Sequence, residues 1–248
     1  AALKEQGIDA VEGKWSDLSI HIKGAANIER LTGFAEGHFS VQDEASMLAV
    51  MALDPKAGEK IGDLCSAPGG KAAFAMEKTG CGVQLSAGDI HPHKLKLMEE
   101  NFKRLGLSNY TLKVWDAVKP DDSMRNRFDK IILDAPCSGF GVIRKKPDMK
   151  LKKKKYEIAE LADIQKKMLV NAAKYVKKGG LLIYSTCTIS EEENEKIVKW
   201  ATESENRLKL ESLKGKLPDE MVGEDGMARL YPNVHGTDGF FIAALRKY

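Results

Sequence analysis

The 248-residue sequence has no run of 18 apolar residues and no basic-then-apolar leader, so neither a membrane span nor a secretory signal is expected. Its four cysteines, Cys65, Cys81, Cys137 and Cys187, are widely spaced and form no C-x-x-C pair. That spacing argues against a zinc site and against a dense disulfide framework, so no metal is expected and a reducing, cytoplasmic location fits best. Low-complexity tracts and internal repeats are also lacking. With 43% hydrophobic and 30% charged residues, the composition is that of an ordinary globular protein. A net charge of +3 is too small to imply a polyanionic partner, so any such argument must rest on where the charges sit. The length allows one large core, alone or with a small appendage.

What the sequence does have is alternation. From about residue 60, short apolar runs alternate with longer helical periods, the signature of an α/β protein whose parallel sheet is covered by helices on both faces. The predicted strands are 60–66, 83–90, 111–117, 128–135 and 181–188, each apolar enough for burial on both faces. Between the second and third, Leu95, Met98, Phe102 and Leu105 recur at helical spacing, and Gly106 stops that helix. Ser190 followed by Glu193 reads as a capping box opening a helix that runs to about Trp200. Two closing strands, 208–213 and 239–246, bring the expected sheet to seven strands, mostly parallel with an antiparallel hairpin at one edge. Residues 1–40, with several glycines and only short apolar runs, are expected to be an N-terminal extension packed on a core of residues 41–248.

The segment Asp63-Leu64-Cys65-Ser66-Ala67-Pro68-Gly69-Gly70-Lys71 leaves the first strand and enters a helix, the place where open α/β sheets bind nucleotide-like ligands. A bare Gly-Gly is more often an ordinary turn, but at this position adjacent glycines let a ligand touch backbone. The loop has neither the G-x-G-x-x-G spacing nor the G-x-x-x-x-G-K-[ST] phosphate loop, so pyrophosphate and triphosphate are not its natural guests. Asp89 ends the second strand 19 residues after Gly70, where a carboxylate can accept both hydroxyls of a ribose, as an adenosyl group requires. Asp116 and Asp134 end the third and fourth strands. Acids thus line one sheet edge, where a cationic sulfonium and an amino-acid tail can lie. Taken alone, Asp116 also fits an Asx turn.

Cys137 and Cys187 lie just past the ends of adjacent predicted strands, on the side of the glycine loop, so two thiols face one pocket. Most buried cysteines are small inert hydrophobes, and Cys81 is read that way. At Cys65, within the loop, the backbone matters more than the thiol. Paired thiols suit chemistry at carbon-5 of cytosine, a poor nucleophile until a thiolate adds to carbon-6. An ordinary thiol pKa of about 8.5 leaves little thiolate at neutral pH, so neighbouring groups must help. Asp134 can pair with N3 and the exocyclic amine of such a base. Arg144, Lys145, Lys146, Lys150, Lys152, Lys153, Lys154 and Lys155 put eight positive charges in twelve residues. A lysine run is as often a solvated face, but this one follows the Cys137 strand directly, so an RNA backbone is the expected partner. A base inside a duplex is out of reach, so the target is unpaired or flipped out.

From about residue 36 onward the chain resembles the Sun (Fmu) type of ribosomal-RNA cytosine-5 methyltransferase. The resemblance is carried by GHFSVQDEAS, DLCSAPGGK, AGDIHPHKL, VWDA, LDAPCSGFGVIRKKPD, YSTCTISEEENE and HGTDGFFIA. It implies a Rossmann-like class I methyltransferase fold, S-adenosylmethionine as cofactor, and methyl transfer to carbon-5 of a cytosine in RNA through a covalent cysteine adduct. It also implies that Cys187, of the TC motif, is the nucleophile, that Cys137, of the PC motif, assists product release, and that cofactor contacts fall on Cys65, Ser66, Ala67, Pro68, Gly69, Gly70, Lys71, Asp89, Asp116 and Asp134. The best-known members carry an N-terminal helical RNA-binding domain with no counterpart here, and Ser66 stands where many relatives have alanine. A monomer acting on ribosomal RNA is expected, with transfer RNA as the alternative substrate. Methyl transfer to nitrogen or to a small molecule, and a catalytically idle RNA-binding scaffold, are the other readings.

Overall fold

The computed structural model describes residues 2–25, 27–145, 155–204 and 207–248. After the short helix α1 (Ala2–Glu5), β1 (Asp9–Glu12) and β2 (Ile20–Lys23) pair antiparallel as a hairpin that periodicity had not singled out. The apolar runs then supply the main sheet. β3 (Lys60–Asp63), β4 (Gln84–Asp89), β5 (Tyr110–Val114), β6 (Phe128–Asp134) and β7 (Val176–Thr186) are mutually parallel. β8 (Leu208–Glu211) and β10 (Phe240–Lys247) complete the order β5-β4-β3-β6-β7-β10-β8, with β10 antiparallel to both neighbours. The seven expected strands are all in this sheet. β9 (Ala228–Leu230), too short to show a pattern, pairs with β10 as an eighth.

Side chains alternate across the strands, so the sheet has two core layers. Ile61, Ile132, Ile183 and Ile242 belong to the layer shared with α2 (Glu44–Leu53), α3 (Gly70–Lys78) and α4 (Pro92–Arg104). Leu133, Leu182, Tyr184 and Phe241 belong to the other, shared with α5 (Lys155–Tyr175) and α6 (Glu195–Glu203). Met98 and Phe102 anchor α4 and are fully buried, and Gly106, at φ +67°, follows its end as expected.

Several boundaries differ from the sequence reading: β3 ends at Asp63 and not 66, β5 at Val114 and not 117, β8 at Glu211 and not 213, and two element starts differ by more. β7 begins at Val176, ahead of residue 181, because α5 runs directly into it and a register shift opposite Phe128 and Lys130 absorbs the glycine pair. α6 begins at Glu195, not near Ser190, and there is no capping box. The Glu193 carboxyl group turns into the protein and accepts hydrogen bonds from Ser138 and Gln165, so it is unavailable to Ser190.

The hairpin is fastened to the core through one buried carboxylate. Glu44 accepts from the Trp15 N–H at 2.9 Å, the Ser16 N–H at 3.2 Å and Ser19 Oγ at 2.6 Å, and lies 2.7 Å from His21 Nε2. Burial pushes the carboxyl group up, but these bonds outweigh it and hold it below the usual range. The Trp15 indole also donates to the His235 carbonyl, at the end of α7 (Pro232–His235), at 2.9 Å. Among the described residues, no helix is long and apolar enough to cross a membrane.

Candidate active site

β3 pairs with β4 on one side and β6 on the other, so successive connections leave its carboxyl end in opposite directions. A crevice opens at such a switch point. The loop from Leu64 crosses it into α3, turning at Gly69, whose φ is +100° and where a Cβ would lie 2.9 Å from the Phe102 ring; glycine alone fits. The resulting cavity, about 180 Å³, is lined by the loop, by Asp63 and Asp134 from the strand ends, and by Gln42 and Ser46 at the start of α2. Three buried polar atoms at this cavity have no hydrogen-bond partner among the described residues: Asp63 Oδ1, Ser66 Oγ and Gln42 Nε2. Such groups mark a place where a ligand supplies the missing bonds. Burial pushes the Asp63 carboxyl group up to about 7. The Cys65 thiol lies 3.9 Å from Met168 Sδ, and burial pushes it up.

The other acids stand at neighbouring strand ends. Asp89 closes β4, nearly buried, with Oδ1 accepting from the His91 N–H at 2.9 Å and Lys94 Nζ 3.7 Å away. Asp116 lies two residues past β5 and makes an Asx-turn bond to the Val118 N–H at 3.1 Å, with Lys119 at 3.5 Å. Asp134 closes β6 and has both oxygens engaged. Lys71 Nζ donates to Oδ2 at 2.7 Å, and Ser185 Oγ, opposite it on β7, donates to Oδ1 at 2.7 Å. Lys71 also reaches Ser46 Oγ at 3.3 Å.

Beside this pair the two thiols meet, with Cys137 Sγ and Cys187 Sγ 3.3 Å apart. One is the donor and the other the acceptor. The hydrogen bond from Cys137 draws Cys187 below the usual thiol range against burial, and the Lys71 ammonium adds to the effect. The same bond, with burial, pushes Cys137 well up. Backbone bonds fix the Cys187 carbonyl, which accepts from the Gly141 N–H at 3.0 Å, while the Gly141 carbonyl accepts from the Gly239 N–H at 2.9 Å.

Of the basic residues, Lys146, Lys150, Lys152, Lys153 and Lys154 lie outside the described residues. Arg144 and Lys145 are described, and both are engaged with acids. Arg144 Nε is 3.1 Å from Asp238, and Lys145 Nζ is 2.6 Å from Asp238 and 2.9 Å from Asp43. Asp43 also caps α2 through the Ala45 N–H. This cluster ties the Cys137 loop to α2 and to the approach to β10. Sequence reasoning did not single out Asp43, Asp238 or Gln42, and it read Glu193 only as a capping-box partner of Ser190. All four sit in the quoted motifs, but no spacing rule gives their partners.

A family profile described as 16S rRNA methyltransferase RsmB/F matches residues 50–246. The chain belongs to that family. Among RsmB/F-like proteins, a probable ribosomal RNA small subunit methyltransferase B of Bacillus subtilis is 41% identical, over 98% of this chain and 55% of that protein. The human 28S rRNA (cytosine(4447)-C(5))-methyltransferase is 35% identical over 95% of this chain and 31% of its own length. The crystal structure of NSun6 from Pyrococcus horikoshii with SFG aligns with a TM-score of 0.80 at 36% identity, covering 90% of this chain and 56% of that one. The chain thus spans about half the length of the curated RsmB relatives it matches. Its fold is the Rossmann-like methyltransferase fold of the family.

Proposed function

We propose that this RsmB/F-family chain transfers a methyl group from S-adenosylmethionine to carbon-5 of an unpaired cytosine in ribosomal RNA, with Cys187 as covalent nucleophile. The observation that carries this reading is the 3.3 Å contact between the Cys187 and Cys137 sulfurs beside the Lys71–Asp134 pair. Methyl transfer to a nitrogen or oxygen needs no opposed thiols, whereas carbon-5 of cytosine must be activated by addition at carbon-6. The names of the Bacillus and human relatives support the substrate class. All four cysteines are free, which supports work in a reducing cytoplasm, and the reading takes the chain as a monomer.

The residues at the switch point fit the cofactor. When bound, S-adenosylmethionine supplies an electrophilic methyl group on a cationic sulfonium. Asp89 would offer a carboxylate to its ribose, the unpartnered Asp63 and Ser66 atoms would offer an acid and a hydroxyl to its amino-acid end, and the N-terminal amides of α3 would suit its carboxylate. The NSun6 crystal structure contains SFG, an S-adenosylmethionine analogue, which supports the same cofactor here.

The protein's own groups divide the work. Cys187, drawn toward thiolate by the Cys137 S–H and by Lys71, adds to carbon-6 of the base. Asp134, fixed between Lys71 and Ser185, accepts from the N3–H and exocyclic amine of the adduct and stabilises its charge. Carbon-5 takes the methyl group and then loses its proton to water, that electron pair re-forms the 5,6 double bond as the carbon-6 to sulfur bond breaks, N3 gives back the proton it took from water on addition, and Cys187 leaves as thiolate. Cys137 assists that departure.

Denaturing gel shifts with substrate RNA test the reading. Cys187→Ala should abolish both methylation and adduct, while Cys137→Ala with cofactor should accumulate a denaturant-resistant complex. RNA containing 5-fluorocytosine, which cannot lose its carbon-5 substituent, should trap the unsubstituted protein. An adduct that survives Cys187→Ala and vanishes in Cys137→Ala reverses the roles, and no trapping in any form ends the covalent reading. Bisulfite sequencing of ribosomal and transfer RNA with and without the gene decides the RNA class.

A further inference from the structure

The turn between β7 and α6 contains a fully buried carboxyl group that the reaction itself does not use. Glu193 accepts from the Ser138 N–H at 2.8 Å, from Ser138 Oγ at 2.5 Å and from Gln165 Nε2 at 3.0 Å. Its hydrogen-bond partners among the described residues are neutral donors, and a buried carboxylate without a cation is costly unless fully hydrogen-bonded. Ser138 is the residue after Cys137, and its hydroxyl lies 2.8 Å from that of Thr188, the residue after Cys187. The next side chain completes the arrangement. Asn194 Oδ1 accepts from Thr186 Oγ1 at 2.5 Å, and its Nδ2 donates to the Thr188 carbonyl at 3.0 Å, so it bridges the two residues flanking Cys187. One dipeptide thus holds both cysteine segments, each of which has just left its strand and has no ladder bonds of its own.

We infer that Glu193 and Asn194 are positioning residues that set the approach of the two thiols, Glu193 from the Cys137 side and Asn194 from the Cys187 side. The inference rests on the reading of Cys137 and Cys187 as the reacting pair. After the Cys187 hydrogen bond and burial, a charge on Glu193 adds a smaller push in the same direction, disfavouring ionisation of Cys137. A spacer that fixed distance alone would not need a buried charge.

The test is alkylation of the full chain by iodoacetamide as a function of pH, with each labelled cysteine identified by mass spectrometry. In the wild type, Cys187 should label at lower pH than Cys137. Glu193→Gln keeps the reach and removes the charge. It should raise the ratio of Cys137 to Cys187 labelling at pH 8 about tenfold, the equivalent of one pH unit. Asn194→Ala frees the Cys187 segment and should move its profile up toward an ordinary thiol, with Cys65 and Cys81 unaltered. Unchanged profiles in both variants overturn the inference. So does a parallel rise at all four cysteines, which would make the pair general supports of the fold. Alkylation needs neither cofactor nor RNA, so failed trapping in the gel-shift test would leave this result standing, and the reverse holds as well.

Discussion

Asp63 sits with its carboxyl group wholly buried at the end of β3, and burial pushes its pKa up to about 7 from an ordinary 3.8. The folded chain therefore binds this proton more tightly than the unfolded one. The sign follows directly: folding loses stability as pH rises from about 4 to 7, and the full loss is carried above 7. A cationic ligand works in the opposite sense, because it favours the carboxylate and expels the proton. The affinity for S-adenosylmethionine should therefore rise between pH 6 and 8, by at most about tenfold per unit for one proton. Asp63→Asn should flatten the profile and make the ligand-free protein more stable at pH 8. Calorimetry in buffers of different ionisation enthalpy counts the released proton, and a wild-type affinity independent of pH would refute the account. At this scale the sequence was most readable where chemistry coincides with a strand end, as at Cys137, Cys187, Asp89 and Asp134. Asp63 was quoted only as the start of a loop, because burial of one carboxyl group is a property of the packed sheet.

Among the elements, the crossing of two glycine loops over the end of β7 is the least forgiving contact. A Cβ on Gly141 would lie 1.8 Å from the Gly239 carbonyl oxygen, and backbone cannot swing aside as a flexible side chain would. Gly141→Ala should cost at least about 2 kcal/mol through overpacking. Thermal unfolding should then begin some 4 to 8 °C lower. A melting temperature within a degree of wild type would mean that the loops separate freely. The strands were legible because burial on both faces demands long apolar runs, and α4 because Met98 and Phe102 recur at helical spacing. β9 has three residues and no period to detect. The start of α6 was misread for a sharper reason: Ser190 and Glu193 have the spacing of a capping box, but Ser138, 55 positions away from Glu193 in sequence, provides the partner that wins.

For the whole molecule, the electrostatic question is which positive charges are free to meet RNA. Arg144 and Lys145 are paired with Asp43 and Asp238, so they brace the site, and reversing them would disturb more than RNA contact. Lys150, Lys152 and Lys153, which lie outside the described residues, are the triple to reverse. Reversing them to glutamate should weaken RNA binding and make its salt dependence shallower, by up to about three in the logarithmic slope if each contacts a phosphate. Cofactor affinity should stay within a few-fold. Equal RNA affinity and slope in filter binding across a salt series would remove this segment from the interface.

The strand order has a consequence in time as well as in space. β10 lies between β7 and β8, antiparallel to both, yet it is the last of the three in sequence. During synthesis β7, the strand just before Cys187, therefore leaves the ribosome, followed by β8, with the lane between them vacant. Until residues 240–247 arrive, β7 has an unpaired edge, and the bond from the Gly239 N–H that braces Gly141, the residue holding the Cys187 carbonyl, is missing. The half of the sheet bearing the two thiols is thus the last whose strands are all synthesised, after the strand ends that line the crevice.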